Sequence, residues 1–259
     1  MNLHLKDKII IVSGGAKGIG EAIVKSLATE NAFPVIIGRN ENDNQKLCGI
    51  LETEGFKADY VTAELTNPEN CKDVIDMVMQ KYGRIDGLVN NAGVNDGVGL
   101  ENGSYEGFIE SMHKNLVHYY LLAKYALPAL KASKGIIVNI GSKTAETGQG
   151  GTSGYAAANG GRNALTREWA VELLPYGIRV NAVIVAEAMT PLYKTWINTF
   201  DHPEEKLKSI TEKIPFEKRM TSVQEIADMV VFLLSERSSH TTGQLIHVDG
   251  GYVHLDRAL

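Results

Sequence analysis

Lys8–Gly20, KIIIVSGGAKGIG, decides how the rest of the chain is read. Ile9 to Val12 are four consecutive β-branched residues, the pattern of a strand buried on both faces of a parallel sheet. Gly14, Gly18 and Gly20 then punctuate a turn into a helix on which Ile19, Ile23 and Leu27 share one face at a spacing of four. A turn without Cβ atoms bends sharply, and a pyrophosphate can lie against the free N–H groups at the positive end of the helix. The spacing is G-x-x-x-G-x-G rather than G-x-G-x-x-G, and the glycines alone leave open the lesser alternative of a tight turn that holds nothing. Their place at the first strand-to-helix junction is where dinucleotide folds carry the phosphate-binding turn.

Outward from this turn, strand and helix patterns alternate. Phe33–Gly38, Ala58–Ala63, Gly87–Asn90, Gly135–Ile140, Ile178–Val185 and Gln244–Val248 read as strands. Between them lie helical stretches at Glu41–Glu54, from Pro68 onward, Tyr105–Lys131, Tyr155–Leu174 and from Ser222. Such alternation implies a seven-stranded parallel sheet with helices on both faces, a doubly wound Rossmann-type α/β domain. No composition break marks a linker, so residues 1–259 read as a single domain. The less regular part, about 186–221, with short helical pieces at Leu192–Thr199 and Glu204–Lys213, reads as a substrate lid over the ligand crevice.

Composition narrows the partners. A net charge of -5 and the lack of a long Lys/Arg run argue against nucleic acid or an anionic membrane. The longest apolar runs are too short for a bilayer, and MNLHLKDK is no signal region, which points to a soluble cytoplasmic protein. Cys48 and Cys71 belong to no C-x-x-C pair and read as inert thiols. The histidines form neither H-E-x-x-H nor a Cys/His cluster, so no metal centre is expected.

Chemistry enters at the strand ends. After the second strand, Ile37-Gly38-Arg39-Asn40 offers no acid until Glu41, and Lys17 sits in the glycine turn. Two cations without a carboxylate suit a ribose 2′-phosphate, hence NADP over NAD, unless both are merely solvated. Asn90-Asn91-Ala92-Gly93 combines small residues, which admit a flat ring, with amides that tie adjacent strands together. Asn115 falls on the helix face defined by Phe108, Met112, Tyr119 and Leu122. It is either bonded to backbone or holds a water in an active site, since a bare buried amide costs on the order of 1–3 kcal/mol. Ser142, just after the fifth strand, and Tyr155, at a helix start, can together hold an oxygen and exchange its proton.

These residues in this order resemble the short-chain dehydrogenase/reductase family along essentially the whole chain. The match covers Gly14, Gly18 and Gly20, Asn90 to Gly93, Asn115, Ser142, Tyr155 and Asn181 to Thr190. The resemblance implies Tyr155 as general acid/base, Ser142 polarising the substrate oxygen, and Asn115 ordering a water. It further implies a nucleotide site built from Ser13, Gly14, Ala16, Lys17, Gly18, Ile19 and Gly20, from Arg39, Glu64 and Leu65, and from Asn90, Ala92 and Gly93. The nicotinamide end falls to Tyr155, Asn159, Val185, Ala188 and Thr190. A homodimer or homotetramer is implied as well.

The chain departs from the family's Tyr-x-x-x-Lys motif, reading Tyr155-Ala156-Ala157-Ala158-Asn159. The neutral amide can reach ribose hydroxyls but supplies no field. The oxidised nicotinamide itself, Arg162 two turns along, or Lys143 are the candidate replacements. Val185-Ala186 stands where the family has Pro-Gly, with Thr190 retained, and Gly160-Gly161 suggests a close helix approach, such as one between subunits. The nicotinamide end is polar, with Asn95, Asp96, Lys143, Gln149 and Glu187, as a site for many hydroxyls would be. NNAGVNDGVGLE, SKTAETGQGGTSGY, ALTREWAVEL and GGYVHLDRAL resemble bacterial L-fucose dehydrogenases within the family. That implies oxidation of an aldose at C1 to the lactone, with NADP or NAD as acceptor. The alternatives are a reductase of another carbonyl such as a 3-ketoacyl thioester, or a dinucleotide-binding protein with weakened catalysis. The tail His254-Leu255-Asp256-Arg257 either closes over a site or lies on the surface.

Overall fold

The computed structural model describes residues 2–256. Seven parallel strands form one sheet in the order β3-β2-β1-β4-β5-β6-β7. They are β1 (Ile9–Ser13), β2 (Phe33–Gly38), β3 (Asp59–Thr62), β4 (Gly87–Asn90), β5 (Ile136–Ser142), β6 (Arg179–Val185) and β7 (Leu245–Val248). The helices are α1 (Gly18–Thr29), α2 (Glu41–Thr53), α3 (Pro68–Tyr82), α4 (Tyr105–Met112), α5 (His118–Ser133), α6 (Ser153–Glu172), α7 (Pro191–Ile197), α8 (Pro203–Thr211) and α9 (Val223–Leu234).

Alternation along each strand splits the core into two layers. Ile10, Val12, Ile36, Val89 and Val138 face α1, α2 and α9, where Ile23, Leu27, Leu47 and Val230 meet them. Ile9, Ile11, Val35, Ile37 and Leu88 face the other way, toward Val74, Val78, Leu122 and Trp169 of α3, α5 and α6. Both faces being covered explains why β1 reads as an unbroken apolar run. The strand order reverses between β1 and β4, and a ligand crevice forms outside the carboxyl ends of the strands at such a point.

Three boundaries differ from the sequence reading in ways that matter. β5 continues through Ser142, so that residue is the last of its strand. The expected helix Tyr105–Lys131 is interrupted by a π-helical turn at His113–Val117. One extra residue in that turn shifts the inward face: Asn115 is fully buried, while Phe108, expected on the same face, is 37% exposed. Gly161 does mark a close approach, but within the chain. A Cβ there would lie 2.7 Å from Leu116 of the π turn, whereas Gly160 faces open space.

Among the described residues, no helix is long and apolar enough to cross a membrane.

Candidate active site

The glycine turn is a cradle that side chains would fill. Gly14 has φ +64, and a Cβ on Gly20 would lie 2.1 Å from the Gly14 carbonyl oxygen. The ends of β1 and β4 are tied across it. Ser13 Oγ accepts the backbone N–H groups of Asn91 and Ala92 at 2.9 and 3.1 Å, and Asn91 Nδ2 donates to the carbonyls of Ser13 and Gly14. Helix α1 starts at Lys17 without a side-chain cap, although Asn40, Asn67, Ser104, Thr190 and Ser222 cap α2, α3, α4, α7 and α9. Its first N–H groups therefore have no side-chain acceptor, which is what a pyrophosphate needs.

The loop after β6 reaches this turn. A Cβ on Gly18 would sit 3.4 Å from Thr190 Cβ, and Val185 and Ala188 are buried beneath. The bridge Ala188↔Thr221, with Thr221 N–H donating to the Glu187 carbonyl at 3.0 Å, closes the base of the segment that carries α7 and α8. The cradle fits a dinucleotide.

At the end of β2 the expectation of cations without carboxylates is corrected. Lys17 pairs with Asp43 at 2.6 Å and Arg39 with Glu64 at 3.8 Å. Asp43 lies in the first turn of α2 and Glu64 follows β3, positions that only the folded chain brings beside the turn. Leu65 is buried and accepts a hydrogen bond from the Cys71 thiol, which burial pushes up to about 11.

Four asparagines organise the centre. Asn90 donates to Asn139 Oδ1 at 3.0 Å, and Asn139 donates to Thr166 at 3.0 Å, which locks β4, β5 and α6 together. Asn115 accepts from Val94 N–H at 2.8 Å and donates to the Ser111 carbonyl at 3.1 Å, so its amide is bonded to backbone at both ends. Asn159 is buried. It donates to the Tyr155 carbonyl at 2.9 Å and accepts from Arg162 Nη1 at 3.1 Å.

Ser142 Oγ accepts from Thr144 N–H and Thr144 Oγ1 at 3.3 and 3.1 Å. Tyr155 is half-buried on the first turn of α6, the helix that packs on β5 and on the turn Lys143–Ala145. Arg162 is buried, at 3% exposure. Its guanidinium lies 6.0 Å from the Tyr155 ring centroid and 4.2 Å from that of Tyr119. Burial pushes the Tyr119 phenol up to about 12, and burial first, then Arg162, pushes His118 down to about 4. Both neighbours are thus neutral at physiological pH.

On the substrate side, Lys143 and Glu187 form a buried ion pair, with Lys143 Nζ also 3.9 Å above the Tyr252 ring. Burial and the Glu187 carboxylate push the Tyr193 phenol upward. Tyr193 and Tyr252 carry no spacing signal, since each comes from a segment distant in sequence. Of the other expected groups, Asp96 accepts from Ser111 Oγ at 3.0 Å, and Asn95 and Gln149 are exposed.

The absence of a metal motif did not foresee one gathering. Glu146, His247 and His254 place one ligand atom each within 4.8 Å of one another, because β5, β6 and β7 are neighbours in the sheet. His247 lies 3.1 Å from Glu146, a contact that positions far apart in sequence do not announce. Of the tail read as a possible closing segment, Arg257 lies outside the described residues.

A family model described as enoyl-(acyl carrier protein) reductase matches residues 14–253. The chain is a short-chain dehydrogenase/reductase. It is thus an oxidoreductase of alcohol and carbonyl groups that uses NAD or NADP. Among relatives of this dehydrogenase/reductase chain, a 3-oxoacyl-[acyl-carrier-protein] reductase of Thermotoga maritima is 35% identical, covering 97% of this chain and 100% of the other. An L-fucose dehydrogenase of Bos taurus is 31% identical, with 97% and 91% covered. The crystal structure of Cj0485 dehydrogenase superposes with a TM-score of 0.94 at 44% identity, covering 100% of this chain and 99% of that one.

Proposed function

We propose that this dehydrogenase oxidises an aldose, L-fucose or a related 6-deoxyaldose, at C1 to the lactone. The observation that carries the reading is the buried Lys143–Glu187 pair beside Tyr193 and Tyr252. Hydroxyl groups satisfy such a cluster, whereas an acyl chain would cover it without hydrogen bonds, and buried polar groups discriminate strongly against a partner that cannot pair with them. Asn95, Asp96 and Gln149 on the neighbouring loops extend the polar wall. The similarity to the L-fucose dehydrogenase of Bos taurus supports the same substrate class.

In this reading Ser142, being already an acceptor from Thr144, donates a hydrogen bond to the C1 oxygen and keeps its proton, and ionised Tyr155 takes up the one proton released from that oxygen. A bound oxidised nicotinamide would supply the acceptor for the C1 hydride. Asn115 holds the π turn and the loop at Val94 around the site. Asn159 keeps one amide N–H for the nicotinamide ribose. The coenzyme is NADP in preference to NAD. Lys17 and Arg39 are mostly exposed, their carboxylate pairings are surface pairs worth about 0–1 kcal/mol, and a 2′-phosphate can replace them.

The segment 186–221 is the lid, hinged at the Ala188↔Thr221 bridge and stiffened by the edge-to-face contacts Tyr193–Trp196–Phe200. Copies associate as a homodimer or homotetramer, and the exposed apolar side chains of α4, α5 and α6, Tyr105, Ile109, Tyr120 and Val171, are what such contacts would cover. Residues 1–259 act as one cytoplasmic unit.

A second reading, reduction of a 3-ketoacyl thioester, is supported by the Thermotoga maritima relative. Initial rates decide between them. NADP reduction with L-fucose, outpacing NADPH oxidation with an acetoacetyl thioester by at least tenfold in kcat/KM, is the expected result. The reverse order overturns the sugar reading. Binding of NADP and NAD without turnover of either substrate points to a protein that has kept the dinucleotide and lost the chemistry.

A further inference from the structure

Arg162 is a buried cation whose described partners include no carboxylate. Its guanidinium donates to the Asn115 carbonyl at 2.6 Å, to the Ile140 carbonyl and to Asn159 Oδ1 at 3.1 Å each, and to Asn115 Oδ1 at 3.4 Å. The guanidinium lies over the Tyr119 ring, 4.2 Å from its centroid, with the Tyr155 ring centroid 6.0 Å away. Gly93 makes room for it, since a Cβ there would lie 2.8 Å from Nη2. Carbonyl oxygens neutralise a buried charge only in part, so its field extends to whatever lies beside it. Ordinary packing gives no reason to keep a guanidinium there, because a buried ionic group is commonly no more stabilising than an apolar one of the same shape.

We propose that Arg162 is the positioning cation of the active site, held by Asn115, Ile140 and Asn159 so that its positive field stabilises the ionised Tyr155 Oη, the form that takes up the proton from the substrate oxygen. Asn159 is then a holder of the cation. Its amide bridges the Tyr155 carbonyl and Arg162 Nη1, which ties the guanidinium back toward Tyr155, two turns earlier on the same helix.

No other described charge competes for this part. Tyr119 and His118, from α5, are neutral at physiological pH. Lys143, on the turn after β5, is matched by Glu187, and Glu146 on that turn meets Asn163 and His247. The inference rests on Tyr155 being the proton-transfer group, not on the identity of the sugar.

The test follows how Tyr155 responds to pH in two ways. One is the pH profile of kcat/KM for aldose oxidation. The other needs no substrate: titration of the Tyr155 ring-carbon signal in protein labelled with 13C-tyrosine, assigned by its loss in Tyr155→Phe. In Arg162→Gln both midpoints are expected to move up by about one to two pH units, the size of a nearby unit charge in a partly buried site. At neutral pH kcat should fall roughly 10- to 100-fold, following the lost fraction of ionised phenol.

Arg162→Lys, which keeps the charge but loses the forked bonds, is expected to hold both midpoints within about half a unit of the native protein. Arg162→Gln combined with Asn159→Lys is expected to bring them back down. Unchanged midpoints in Arg162→Gln overturn the proposal, and so does Arg162→Lys shifting as far as Arg162→Gln. Should Arg162→Gln not fold, Arg162→Lys decides alone: midpoints within about half a unit of native support the proposal, and midpoints raised by about one unit or more overturn it. A native protein silent toward every aldose but showing the expected 13C shifts removes the sugar reading and leaves this one standing.

Discussion

Thr144 donates two hydrogen bonds to Ser142 Oγ, from its backbone N–H at 3.3 Å and its hydroxyl at 3.1 Å. A hydroxyl whose lone pairs are both engaged has only its proton left to offer. Ser142→Ala is expected to lower kcat by roughly 10²- to 10³-fold, as loss of a donor to a developing oxyanion does. Thr144→Val keeps the backbone donor and is expected to cost about tenfold at most, with the melting temperature nearly unchanged. Steady-state kinetics on both variants check this, and a larger loss in Thr144→Val than in Ser142→Ala would contradict it.

Tyr155→Phe removes the proton-transferring oxygen and leaves the ring packed near Arg162. The expected loss in kcat is about 10²- to 10⁴-fold, with the dissociation constant for NADP within about twofold of native. Fluorescence titration of the coenzyme alongside the rate measurement separates lost chemistry from lost binding.

Glu187→Gln leaves Lys143 buried without its counter-charge. Breaking one side of a buried pair costs about 3–5 kcal/mol, whereas replacing both partners with apolar groups of similar size is close to neutral. Chemical denaturation should therefore show a marked loss for Glu187→Gln and recovery in the double variant Lys143→Met with Glu187→Leu. If the pair binds substrate, the recovered double variant still shows a raised KM for the aldose.

Arg39 is 81% exposed on its side chain and 3.8 Å from Glu64. Arg39→Ala is expected to raise the KM for NADP about tenfold while leaving that for NAD within about twofold, since only the phosphate senses the lost cation. Equal effects on the two coenzymes would remove Arg39 from the specificity of the site.

His118 is buried at the start of α5, with Nε2 2.9 Å from the Lys114 carbonyl, and burial lowers it to about 4. Because its folded value lies below the unfolded one of about 6.5, the unfolded chain binds the extra proton between those limits. Stability from this residue is complete above about pH 6.5 and is lost as pH falls toward 4, by up to about 3 kcal/mol. Melting temperature measured from pH 7.5 down to 4.5 should fall more steeply in the native protein than in His118→Gln, which has no such proton to gain.

Much of the fold was legible because it is local. The glycine turn, the apolar runs of β1 and β2, Pro68 at the start of α3 and the alternation of strands and helices are each set by neighbours within a few residues. The π turn at His113–Val117 was not legible, because no residue type demands it. It forms where Asn115, Leu116 and α6 must fit together, with Leu116 against Gly161. The carboxylates facing Lys17 and Arg39 were missed for a related reason: Asp43 and Glu64 reach the turn only after β2 and β3 have paired beside β1.

The sequence by itself determined the parallel sheet, the nucleotide turn and the candidacy of Ser142 and Tyr155, since spacing along a strand or helix fixes which side chains share a face. Only the tertiary structure decided where the charges stand. Lys143 and Arg162 read alike in the sequence, as two candidate cations near Tyr155. Folding pairs Lys143 with Glu187 from the loop after β6 and seats Arg162 among carbonyls and rings with no carboxylate among its described partners. The physical reason is that a charge's effect depends on distance and on the medium between, and both are set by elements that meet from far apart in the chain.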